Sequence, residues 1–285
     1  MKKTAIVLLT LLICAHSFGQ KSVGIVLSGG GALGMAHIGI LQALEEEGFN
    51  PKYVAGASMG AIIASFYCNG MSAVEIRDMV RTEKFYKTTK ILTFSVGKDK
   101  LGLSSHKHVN ELLDKYIGHN SFDSLSRHLY VSTVNLNTQK CEIIGSGDKL
   151  KEYVIASSSI PGVFEAVNID GCIYVDGGTL NNFPAQAIRN KCDVLIGVDV
   201  QPYTPNMLIN NTTDVAIRAL YTVIHANSVS GRKKCDYIID CFALEKYSIF
   251  DFNKFEELYQ YGYNIGKEYL AAHPDLKRLL NKTKK

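Results

Sequence analysis

Tyr53-Val54-Ala55-Gly56-Ala57-Ser58-Met59-Gly60-Ala61-Ile62-Ile63 passes from a short apolar run through a turn into a helix pattern rich in small residues, which continues to Cys68. Strand, tight turn, helix is the context in which a G-x-S-x-G sequence becomes a nucleophile elbow. Gly56 and Gly60 let the backbone take a strained conformation and keep bulk away from the serine. The Ser58 hydroxyl would then stand at a helix N-terminus, where free N–H groups and the dipole favour developing negative charge. Ser58 is the candidate nucleophile. Three fixed positions in five residues recur by chance, so the flanks must carry the reading.

Upstream, Val23-Gly24-Ile25-Val26-Leu27 reads as a buried first strand, running into Ser28-Gly29-Gly30-Gly31-Ala32-Leu33-Gly34. A helix follows, with Met35, Ile38, Leu41 and Leu44 on its inner side, Glu45-Glu46-Glu47 as a solvated face and Gly48 at its end. Gly29, Gly31 and Gly34 match the dinucleotide-binding pattern literally. That fold wants an acidic residue at the end of the second strand to hold the ribose. Here the second strand ends in Gly56-Ala57-Ser58, which argues against a dinucleotide. The other reading of the glycine run is an oxyanion cradle, in which the N–H groups of Gly30, Gly31, Ala32 and Met59 point at one spot.

Downstream, Ser72-Ala73-Val74-Glu75 is a capping box opening another helix. Ser105 to Tyr116 reads as a helix, and Leu129–Val134 with Cys141–Ile144 as paired strands. Asp170-Gly171 between Val167-Asn168-Ile169 and Cys172-Ile173-Tyr174-Val175 signals a hairpin, whose second strand ends in Asp176-Gly177-Gly178. Val194–Val198 and Tyr237–Ile239 are further buried strands, with a helix from about Thr213 to Val229 between them. A last helix carries Phe255, Leu258, Tyr261, Ile265 and Tyr269 as a core stripe. His225 falls within a helix pattern and His273 at a helix end, so no histidine after Asp176 fits the Ser-Asp-His order of α/β-hydrolases.

Three blocks in this order, Gly29 to Gly39, Gly56 to Gly60 with Ala61, and Asp176-Gly177-Gly178, resemble the patatin-like phospholipases, in a bacterial, exported, single-domain form. The likeness runs from about Ile25 to Arg189, with Gly29, Gly34, Gly56, Gly60, Gly177 and Gly178 as its motif glycines. It implies a Ser-Asp dyad, with Ser58 as nucleophile and Asp176 as the base that takes its proton. An ordinary aspartate is a weak base, so Asp176 would need partial desolvation and a close Ser58. One position departs from the family: Leu33 stands where Arg or Lys is usual, which weakens the tuning of the glycine loop while leaving its backbone donors.

The fold expected is a three-layer α/β/α sandwich with a mostly parallel central sheet. The activity expected is hydrolysis of lipid acyl esters through an acyl-enzyme. An acyltransferase using the same dyad, or a catalytically quiet lipid-binding module with Leu33 as its sign of decay, are the alternatives. No metal and no cofactor is expected, because acidic residues do not cluster at ligand spacing.

Length and composition bound the rest. Of 285 residues, Met1-Lys2-Lys3, the apolar Thr4–Ala15 and Ser17-Phe18-Gly19 read as a signal cleaved after Gly19. The apolar run is short for a membrane anchor, and Ile13 is bulky for lipid attachment at Cys14. Residues 20–285 then form one domain, periplasmic or secreted. The net charge of +4 is spread without a basic stripe, which argues against a nucleic-acid partner. Lys84 to Leu103 mixes Lys84, Lys87, Lys90, Lys98 and Lys100 with aromatic and aliphatic residues, as a membrane-contacting flap or an ordinary loop. Six cysteines, Cys68, Cys141, Cys172, Cys192, Cys235 and Cys241, form no C-x-x-C pair and read as buried thiols, with disulfides left open.

Overall fold

The computed structural model describes residues 22–87, 93–94, 101–202 and 209–281. The signal at 1–19, most of the Lys84–Leu103 stretch and the tail at Lys282–Lys285 lie outside the described residues. The chain forms an α/β domain around a mostly parallel sheet, in the spatial order β10-β9-β1-β2-β5-β8-β7, with β6 on β5. The strands are β1 Val23–Leu27, β2 Tyr53–Ala57, β5 His128–Asn135, β6 Lys140–Ile144, β7 Val167–Ile169, β8 Cys172–Asp176, β9 Val194–Asp199 and β10 Tyr237–Asp240. A separate two-stranded ribbon pairs β3 Thr93–Phe94 with β4 Ser104–Ser105. β10, β9, β1, β2 and β5 run parallel, whereas β6 and β8 join β5 antiparallel.

Alternation along the central strands divides two cores. Ile25, Leu27, Val54, Ile196 and Val198 face the larger one, under α1 Ala36–Glu46, α2 Met59–Cys68 and α7 Phe255–Ala272. Val26, Ala55 and Leu195 face the other side, against Phe183, Ala185 and Ile188. The first helix packs on the last through glycines: a Cβ at Gly39 would come within 2.1 Å of the Tyr259 carbonyl, and one at Gly262 within 2.0 Å of that of Ala36.

One local expectation changes in part. Of the glutamates ending α1, Glu46 is exposed, as a solvated face requires, and pairs with Lys267, whereas Glu45 is half-buried and accepts from the Ala73 N–H at 3.1 Å, and Glu47, also half-buried, pairs with Lys277. Two helices carried no sequence signal, α5 Leu150–Ser157 and α8 Pro274–Asn281; eight residues each give barely two turns of periodicity. The capping box at Ser72 forms as expected, with both of its hydrogen bonds made. The six cysteines among the described residues are free thiols. Among the described residues no helix is long and apolar enough to cross a membrane.

Candidate active site

Strand register brings the second and third motifs together. β5 lies between β2 and β8, pairing Ser132 with Ala57 on one side and Thr133 with Asp176 on the other. Ser58 leaves β2 one residue beyond that point with φ 53 and ψ −128, a conformation that is strained for any residue with a Cβ. The sharp turn is possible because α2 passes close beneath it, where a Cβ on Gly60 would lie 2.3 Å from the Leu27 carbonyl oxygen. The same compactness holds at Gly29, Gly34, Gly56 and Gly177, where a Cβ would meet Asn182, Met59, Gly60 and Ser132 respectively.

Ser58 Oγ donates to Asp176 Oδ2 at 2.7 Å. Both are buried, at 6% and 5% exposure. The other carboxylate oxygen, Oδ1, accepts from the Gly178 N–H at 2.7 Å, so the Asp-Gly-Gly turn fixes the rotamer of its own aspartate. Burial pushes the Asp176 carboxyl up to about 7, against the lowering effect of its bonds from Ser58 and Gly178. A carboxyl in that range can exchange a proton with a hydroxyl 2.7 Å away near neutral pH.

Support comes from a residue that no sequence pattern singles out. Ser157, the last residue of α5, accepts from the Ser58 N–H at 3.0 Å and donates to the Ser132 carbonyl at 2.7 Å, tying the elbow to β5. Its neighbour Ser159 accepts the Asp176 N–H at 3.0 Å through its carbonyl. Detecting Ser157 would have required placing α5, which is short.

The glycine-rich loop lies over the serine. Gly31 sits at φ 54, in the left-handed region, and a Cβ there would strike the Ile249 carbonyl oxygen at 2.4 Å. Beyond it a 3₁₀ turn over Gly31–Met35 begins, and the Ala32 N–H donates to that same Ile249 oxygen at 2.8 Å. Ala32 is thus removed from the expected oxyanion set, because the turn aims its N–H at Ile249. The N–H groups of Gly30, Gly31 and Met59 make no backbone bond among the described residues. Leu33 is 3% exposed and belongs to the larger core, so an apolar side chain is what its surroundings accept.

No histidine hydrogen-bonds Ser58 or Asp176 among the described residues. His106 shares a cavity wall with Ser58, but its Nε2 is engaged with Ser159 Oγ at 2.8 Å and its ring stacks on Phe164. Burial lowers its pKa to about 4, so it is neutral at physiological pH. His37 is wholly buried and bonds the Ser28 carbonyl at 2.8 Å, beneath the glycine loop.

Two cavities meet at Ser58, Gly31, Ile160 and Ile249. One is walled by Met59, Ile62, Phe85, Val109, Phe164 and Phe252. The other adds Asp176, Gly178, Thr179, Asn182 and Gln201, with Leu220 and Ile224 from α6 Thr212–Arg232. The serine therefore faces one apolar and one more polar compartment.

Known proteins fit this frame. The solved structure of VipD from Legionella pneumophila is similar in fold, with a TM-score of 0.51 at 18% identity, covering 89% of this chain and 67% of that one. The lysophospholipase NTE1 of Scheffersomyces stipitis is 26% identical over 90% of this chain, and the neuropathy target esterase sws of Drosophila melanogaster is 26% identical over 91%. The chain spans only 18% and 20% of these relatives' lengths. Being fungal and insect proteins of much greater length, they do not support the bacterial, exported, single-domain form expected above. The description patatin-like phospholipase matches residues 25–188, more than half of the 285 and inclusive of the glycine loop, the Ser58 elbow and the Asp176 turn. By that match the chain belongs to the patatin-like phospholipase family.

Proposed function

We propose that the chain is a serine hydrolase of lipid acyl esters that works through a Ser58–Asp176 dyad and an acyl-enzyme. The observation that carries this is the 2.7 Å hydrogen bond from Ser58 Oγ to a buried carboxylate raised to about 7. Family membership and the lysophospholipase and esterase names of the relatives support the substrate class.

In the first step Ser58 Oγ attacks the ester carbonyl carbon while its proton passes to Asp176 Oδ2. The carbonyl oxygen becomes an oxyanion facing the N–H groups of Gly30, Gly31 and Met59, the last at the N-terminus of α2. Collapse breaks the bond to the alcohol, which leaves with the proton from Asp176. Water then attacks the acyl-serine, giving up its proton to Asp176, and the fatty acid departs as Ser58 regains it. The apolar cavity, with Phe85, Phe164 and Phe252, takes the acyl chain, and the cavity bearing Asp176 and Asn182 takes the alcohol.

Transient contact with a membrane surface belongs to the same proposal. Val215 and Val223 are exposed on α6, whose Leu220 and Ile224 line the alcohol-side cavity, and Leu180 is exposed in the adjoining turn. Export directed by residues 1–19, and a single domain over 20–285, rest on the sequence alone.

The test is hydrolysis of lysophospholipid and fatty-acyl nitrophenyl esters by the wild type and by Ser58→Ala. Turnover by the wild type and its loss in a folded Ser58→Ala are expected. Turnover surviving in Ser58→Ala would remove the assignment.

A further inference from the structure

Among the described residues, buried side-chain atoms of two residues lining the alcohol-side cavity have no hydrogen-bond partner, both amide atoms of Gln201 and, with Gly178 and Asp176 beside it, Asn182 Nδ2. Asn182 is 2% exposed, and its side-chain Nδ2 makes no hydrogen bond among the described residues. A buried amide N–H₂ without an acceptor is costly, and such groups in native proteins usually await a ligand or solvent. The residue lines the alcohol-side cavity together with Ser58, Asp176 and Thr179.

Its position is fixed from three sides. The Asn182 N–H donates to Asn227 Oδ1 at 2.8 Å, and Asn227 Nδ2 donates to the Gly178 carbonyl at 2.8 Å, so α6 braces the turn that follows Asp176. The Asn182 Oδ1 lies against the first and third motif loops: a Cβ at Gly29 would come within 2.3 Å of it and one at Gly178 within 2.9 Å. With that oxygen wedged between glycines, the amide cannot turn freely to find another partner.

We infer that Asn182 is a substrate-binding residue on the alcohol side of Ser58, donating through Nδ2 to a free hydroxyl of a partially acylated glycerol. This rests on the dyad reading above, because that reading puts the leaving alcohol in this cavity. The chemical class follows from the walls. An orphan N–H donor calls for an acceptor, and the described lining holds no cation to pair an anion, Asp176 being its one ionisable group, so a hydroxyl oxygen suits the pocket. Monoacylglycerols and lysophospholipids both present such a hydroxyl beside the ester; a simple alkyl ester does not.

The experiment compares a monoacylglycerol with the propyl ester of the same fatty acid, on wild type and on Asn182→Leu, which keeps the volume and removes the donor. Wild type should favour the monoacylglycerol, and Asn182→Leu should lose about tenfold in kcat/KM on that substrate and little on the propyl ester, as for a buried hydrogen bond. Equal losses on both esters would mean a merely structural role and overturn the inference, as would no change on either. Should Asn182→Leu fail to fold, the wild type alone decides: with glycerol and propanol offered as competing acceptors during turnover, the acyl group should partition to glycerol, and no preference overturns the inference. Ser58→Ala is run in parallel. If it turns over either ester, or if the wild type turns over neither, the dyad reading falls and this inference with it. A Ser58-dependent enzyme indifferent to the hydroxyl overturns this inference alone.

Discussion

At the scale of single residues, the proposed chemistry depends on holding a carboxylate where water reaches it poorly. Asp176 is raised to about 7 chiefly by burial, and the Ser58 hydroxyl bonds the ionised form. Acting as a base it must be deprotonated, so kcat/KM should fall as pH drops through about 7, with a single ionisation on the acidic limb. Asp176→Asn should lose roughly 10²–10⁴-fold in kcat, the usual worth of general-base assistance, whereas His106→Gln should not remove that limb. The same shift sets a stability trend. The folded pKa lies above the unfolded value of about 3.9, so the folded state binds the extra proton between those limits. Asp176 therefore subtracts stability progressively as pH rises from about 4 to about 7. Melting curves of Asp176→Asn against wild type should show the variant gaining relative stability over that interval. Ser58, Asp176 and the motif glycines could be picked out from the sequence, because tight turns restrict residue choice to a few types. Asn182 could not, since nothing in an Asn-Asn-Phe-Pro run tells which amide will lack a partner.

At the scale of elements, α5 and the glycine loop carry what the sequence reading left out or misjudged. The strands and the longer helices were legible, Val23–Leu27 as a short apolar run and the helix after the glycine loop from the spacing of Met35, Ile38, Leu41 and Leu44. α5 was not, although it supplies Ser157 to the Ser58 N–H and leads into Ser159, whose carbonyl accepts the Asp176 N–H. Ser157→Ala would leave the Ser58 N–H buried without an acceptor, and chemical denaturation should report a loss of about 1–3 kcal/mol together with reduced kcat. Leu33 is the other case. Read alone, its departure from the usual Arg or Lys suggests that restoring the cation would raise kcat. Its burial in the larger core argues the reverse: Leu33→Arg places an unpaired charge among apolar side chains and should lower Tm on the order of 10 °C, without a gain in kcat. An increased kcat at unchanged Tm would mean that the loop has room for a cation.

At the scale of the whole molecule, the site stands where the parallel strands end and the chain must be held by side chains. Asp199, at the end of β9, is buried at that edge and pairs with Arg232 of α6 at 2.5 Å, while Arg232 also reaches Asp240 at the end of β10. Burial raises the Asp199 pKa and Arg232 opposes it. Next to this pair, the Val200 N–H donates to Ser28 Oγ at 3.1 Å, so the ion network reaches the residue that opens the glycine loop. Arg232→Met should cost about 3–5 kcal/mol at neutral pH by leaving Asp199 buried and unpaired. That cost should shrink in acid as Asp199 takes up a proton, which melting at two pH values would detect. In the proposed mechanism this scaffolding serves one chemical event, the transfer of an acyl group to Ser58. The most direct check is to quench the protein with acid during turnover of a slowly deacylated long-chain ester and to locate any added acyl mass by peptide mass spectrometry. An acyl group on the peptide containing Ser58, absent from Ser58→Ala and strongly reduced in Asp176→Asn, is the expected result; sustained turnover with Ser58 never acylated, or with the acyl group on another residue, would contradict it.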